Sequence, residues 1–194
     1  MNTNMRDDII TVEGWQNIYG IKNFQVPPQC TQDPNLDEDL VRLKYYKDHL
    51  PIGAYTEGCR VFNSANINIP NAAWTTLTFD SERYDTDSIH STIANTDRLT
   101  CQTAGKYQIT GNVIFDSNNV GFRLLAIEYN GATLIGRSGN MALNATVTPL
   151  SLSTLYELSV SDYVTLKVYQ TSGGALNVRY TGNDSPEFMM QRIG

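Results

Sequence analysis

From Arg60 to the end of the chain, turn residues recur roughly every 8–14 positions, and the segments between them show no convincing helix. "RVFNSANINI", "WTTLTF", "RLTC", "KYQITGNVIF", "GFRLLAIEYN", "ATLIGRS", "ATVTPLSLSTLYEL", "YVTLKVYQT", "ALNVRYT" and "PEFMMQRI" are separated by "NNVG", "YNGA", "SGN", "VSD", "TSGG" and "TGNDSP". Several segments ("TLTF", "YQIT", "TLKVYQ") alternate apolar and polar residues, as a sheet with one wet face requires. Eight to ten such strands without a helix between them predict an antiparallel sandwich or barrel. No repeat of 20–50 residues occurs, which excludes a propeller or solenoid. "FRLLAIEY" and "YVTLKVYQ" carry apolar or aromatic residues at both parities, more than one sandwich core consumes, so a second buried face between subunits is expected.

Residues 1–58 read differently. They hold nine acids and five bases, and "NFQVPPQCTQDPN" is rich in turn formers. "DPNLDEDLVRLKYYKDHLP" has the marks of one short helix: acids in the first turn, Leu36, Leu40, Leu43 and Tyr46 on one face, Lys47 and His49 late, and Pro51 after the end. One helix among extended pieces cannot bury a core. Ile9, Ile10, Val12, Trp15, Ile18, Tyr19, Ile21 and Phe24 nevertheless cluster closely, which predicts an arm lying against a partner with Trp15 as its anchor.

The formal net charge of −6 argues against phosphate neutralisation, so no nucleic acid is expected as partner. No apolar run reaches the length of a membrane span, and the acidic start "MNTNMRDDII" is unlike a secretory signal, so synthesis in a cytoplasm is expected. Cys30, Cys59 and Cys101 are an odd set without CxxC spacing and are read as reduced packing residues. Cys101 in particular is expected to be a buried thiol at a strand end.

Catalytic signatures are missing. There is no GxSxG, and His49 and His90 have no motif around them. His90 is read as part of a solvated loop. "TSGGALN" reads as a hairpin turn and not as a phosphate loop, because strands flank it. The carboxylates Asp80, Glu82, Asp85 and Asp87 leave Ca²⁺ open as a ligand of that loop, although EF-hand order is absent. No catalytic residue, no cofactor and no metal ligand is assigned, and the expectation is a protein that is not an enzyme.

The order of signals around residue 100 carries a resemblance. "FDSERYDTDSIHSTIANTDRLTCQTAGKYQIT" resembles the globular head of complement component 1q, related to the tumour-necrosis-factor jelly rolls. Phe79-Asp80, Tyr84-Asp85, Thr100-Cys101, Ala104-Gly105 and Tyr107 take that family's positions. "VSDYVTLKVYQ" is similar to its Gly-Asp-x-Val-x-Leu strand, with Ser161-Asp162 in place of Gly-Asp, then Val164 and Leu166. "SPEFMMQRIG" resembles its closing strand, with Phe188 in the aromatic slot. The collagen-like stalk of the animal proteins is lacking, and the wording looks more like the bacterial and bacteriophage branch.

The resemblance implies an all-β head over residues 59–194: a ten-stranded antiparallel jelly-roll sandwich forming a homotrimer, preceded by the 1–58 arm. Tyr107, Val164, Leu166 and Phe188 are its expected core or trimer residues. Ile9, Ile10, Val12, Trp15, Tyr19 and Phe24 are the expected partner-binding residues of the arm. The function expected is that of a bacteriophage capsid decoration (cement) protein, located in the virion and anchored to capsid proteins by the arm. A tail fibre or receptor-binding tip, contacting tail proteins and a host-surface glycan, is the alternative. A bacterial lectin-like module is the second.

Overall fold

The computed structural model describes residues 55–194; residues 1–54 of the arm, with the helix expected within 33–51, lie outside them, while the arm's last residues are described and Gly58 opens the first strand. Twelve strands follow in order: β1 (Gly58–Phe62), β2 (Ile67–Ile69), β3 (Thr75–Thr76), β4 (Ser81–Asp85), β5 (Arg98–Thr100), β6 (Gly105–Phe115), β7 (Phe122–Tyr129), β8 (Thr133–Met141), β9 (Thr148–Leu158), β10 (Tyr163–Gln170), β11 (Leu176–Val178) and β12 (Glu187–Arg192). All pairings are antiparallel. Among the described residues there is no helix, hence none long and apolar enough to cross a membrane.

The strands form two sheets packed as a jelly-roll sandwich. In the larger, β6 is the axis: β9 pairs with its whole length on one side, while β12 and then β11 share the other. β12 continues to β1 and β4, and β11 to β2. In the smaller, β10 is bordered by β7 and β8 on one side and by β5 and β3 at its two ends on the other. Long central strands flanked by shorter ones explain why twelve segments occupy about as many sheet positions as ten strands would.

Alternation fixes the inward faces. Tyr107, Ile109, Val113 and Phe115 of β6 point into the core opposite Leu125 and Ile127 of β7 and Val164, Leu166 and Val168 of β10. Phe79 and Phe188 stack inside it at 5.8 Å. Gly111 lies on the inward side of β6 directly under Leu166, where a Cβ would overlap the leucine methyls. Any larger residue at position 111 would force Leu166 to shift.

Three local features depart from the sequence reading. β4 arises from "SERYD", whose mostly exposed residues offer no apolar alternation, since it is an edge strand beside β1. "SGN" is no turn but part of β8, where Gly139 makes room for Leu124 of β7. The "WTTLTF" strand is reduced to Thr75–Thr76, although Leu77 N still donates to Leu166 O at 2.9 Å.

Candidate functional site

Tyr107, Val164, Leu166 and Phe188 are fully buried within the sandwich. The Tyr107 hydroxyl donates to Thr103 O at 2.5 Å, and burial, with Cys101 beside it, pushes its pKa up. Cys59 and Cys101 are free and buried, and burial raises both thiols above their ordinary value. A thiol raised in this way is a poor nucleophile. Cys30 and the six arm residues Ile9, Ile10, Val12, Trp15, Tyr19 and Phe24 lie outside the described residues.

The acidic loop is occupied by its own architecture. Asp85 accepts from the backbone N–H groups of Asp87, Ile89 and His90 at 3.1, 3.0 and 2.8 Å. Asp80 accepts from Ser64 N at 2.9 Å and Ser64 Oγ at 2.6 Å. Burial opposes its ionisation, but these bonds outweigh it and hold the carboxyl below its usual range. Glu82 faces His90. Asp80, Glu82 and Asp85 thus serve three separate tasks, and no group of three or more His, Cys, Asp or Glu side chains that could hold a metal gathers among the described residues.

His90 is buried, contrary to its reading as a solvated loop residue. Its Nδ1 lies 2.9 Å from Glu82 Oε1 and its Nε2 3.3 Å from Thr96 O, so the ring bridges β4 to the end of its own loop. The sequence hides this because the partners are eight and six residues away on a folded-back chain.

Three surface features remain for function. First, β8 and β9 each pair on one side only and run next to one another, so one flank of the sandwich exposes two unpaired edges. Thr154 Oγ1 donates to Ile135 O across the gap at 3.3 Å, and Tyr129 and Tyr156 lie 5.1 Å apart behind it. Leu134 and Leu155 stand exposed there. Second, the outward face of β6 and β9 is uncharged over four consecutive cross-strand pairs: Gln108–Leu155, Thr110–Ser153, Asn112–Ser151 and Ile114–Pro149. Third, the outward face of the smaller sheet bears Trp74, Tyr169 and Phe122 in a row. The doubled apolar parity of "FRLLAIEY" and "YVTLKVYQ" is accounted for in part by this row.

No family model matches the sequence, and no curated protein matches it. Solved structures do match in fold. The crystal structure of murine APRIL at pH 5.0 superposes with a TM-score of 0.52 at 11% identity, over 70% of this chain and 97% of that one. Murine APRIL at pH 8.5 gives 0.51 at 10% identity, over 70% and 97%. The globular domain of zebrafish complement 1qA protein gives 0.48 at 12% identity, over 70% and 94%. At such identities the likeness is one of fold alone: the head of this chain is a jelly-roll sandwich similar in architecture to murine APRIL.

Proposed function

We propose that this chain is a non-enzymatic, homotrimeric structural protein of a bacteriophage virion, a capsid decoration protein held to the shell by residues 1–58. The observation that carries self-association is the β8/β9 flank. An eleven-residue and a nine-residue strand with open backbone edges and exposed Leu134 and Leu155 offer a long surface for a partner, with Arg137, Pro149 and Glu157 the only charged or proline residues along them. The adjoining uncharged face of β6 and β9 lets copies of a chain of net charge −6 approach without meeting like charge. A trimer fits because the fold is of a type whose resemblance implied one.

Attachment is assigned to the arm because its apolar cluster, centred on Trp15, sits in a stretch too poor in apolar periodicity to form its own core. Deleting residues 1–25 is expected to leave a folded, self-associated head that no longer attaches. Co-sedimentation with particles lacking their own copy, alongside thermal melting, tests this. Normal attachment by the truncated protein would assign docking to the head. A receptor-binding tip is the second reading, favoured by the exposed aromatic row, and imaging of purified particles distinguishes shell from tail.

A further inference from the structure

The row on the smaller sheet is a surface that the core does not use. Tyr169 lies 5.4 Å from Trp74 and 5.7 Å from Phe122 between ring centroids, the latter pair within 22° of parallel. Met141, opposite Phe122 in register, continues the row onto β8. Trp74, Phe122 and Met141 are 41%, 36% and 70% exposed. Strands about 4.8 Å apart make a row crossing four of them roughly 14 Å long. A groove of about 380 Å³ adjoins it, lined by Phe122, Leu124, Arg137, Gly139, Asn140 and Met141.

The occupant must offer flat apolar faces edged by hydrogen-bonding groups, and it must carry negative charge. The other cations of this face are engaged: Lys167 pairs with Glu128 at 3.0 Å, and Arg98 lies 4.2 Å over the Tyr163 ring. Arg137 pairs with no carboxylate among the described residues, in a chain that has 20 acids against 14 bases. A guanidinium without a carboxylate partner among the described residues selects a carboxylate on the ligand. A polyanion is disfavoured by the net charge of −6, which leaves room for one acidic group and not for a string of them. The geometry points to a binding site for a short oligosaccharide ending in a carboxylate-bearing sugar. Its ring faces stack on Trp74, Tyr169 and Phe122, and its carboxylate meets Arg137. This holds whether the protein sits on shell or tail.

The test uses the full chain and immobilised trisaccharides ending in glucuronate, galacturonate or sialate, each beside its neutral counterpart. At least one acidic member is expected to bind tenfold or more tightly than its neutral pair, with the preference shrinking as salt rises. Arg137→Gln, at an exposed position, is expected to abolish that preference, and Trp74→Ala to weaken binding at least fivefold at unchanged melting temperature. The proposal is overturned if no acidic member binds, or if Arg137→Gln binds as the parent does. Retention of oligo(dT) through the same residues would make the row a base-stacking surface, and a changed native mass in Phe122→Ser would make it a contact between copies. Either result also rejects the glycan.

Discussion

Ser161 has a φ of 75°, in the left-handed region, at the position where the resembled family has glycine. The turn it makes is fixed by Asp162, whose Oδ1 accepts from Asn130 Nδ2 and whose Oδ2 accepts from Ser159 N, each at 2.8 Å. A serine side chain is strained there, so Ser161→Gly is expected to stabilise the head by about 1 kcal/mol, raising its melting temperature by roughly 2–4 °C. The bonds from Asn130 and then Ser159 hold the Asp162 carboxyl below its usual range. A carboxyl with a depressed folded-state pKa stabilises fully above its unfolded value of about 3.9, and less as pH falls through the folded one. The difference in melting temperature between parent and Asp162→Ala should therefore be constant above about pH 5 and close in more acidic solution. An unchanged difference at pH 3 would show that Asp162 acts through hydrogen bonds that do not depend on its charge.

Among elements, β12 is tied to its neighbours by a buried acid. Glu187 is fully buried on that strand between Arg60 of β1 and Arg83 of β4, the latter at 3.0 Å. The same arginines reach on to the loop before β12, Arg60 to Asn183 O at 2.7 Å and Arg83 to Gly182 O. Arg83 also lies 3.9 Å over the Phe62 ring. One carboxylate thereby joins β1, β4 and the β11–β12 loop. Glu187→Gln should cost about 1–3 kcal/mol in urea unfolding, less than a fully buried pair because both arginines reach solvent. A neutral result would mean that the arginines find equivalent partners in water. The contact between the two sheets at Gly111 and Leu166 is a second such junction. Gly111→Ala is expected to lose about 1–3 kcal/mol through overpacking.

For the whole molecule, the unpaired β8/β9 flank makes self-association the central expectation. Light scattering should report three times 21.6 kDa. Leu155, 65% exposed in the single chain, is expected to tolerate Asp without loss of fold while the mass falls to that of one chain. A trimer that survives Leu155→Asp would move the contact to another face, and a monomeric parent at micromolar concentration would remove it altogether.

The alternation of residues 60–194 determined the all-β sandwich, because a period of two allows only one face of each strand to enter a core. It also placed Tyr107, Val164, Leu166 and Phe188 on strands, and the lack of CxxC spacing left Cys59 and Cys101 as packing thiols. The sequence did not reveal β4, whose polar "SERYD" is a strand only because β1 offers it an edge. Nor did it reveal Gly139 as a strand residue, since the space it leaves is for a leucine on another strand. His90 is buried through partners brought together by chain reversal, and Trp74, Tyr169 and Phe122 stand up to 95 residues apart in the chain. Local pattern records which face a residue prefers. Which residues from distant strands meet on that face is decided by register and strand order, and these exist only once the sheets have formed.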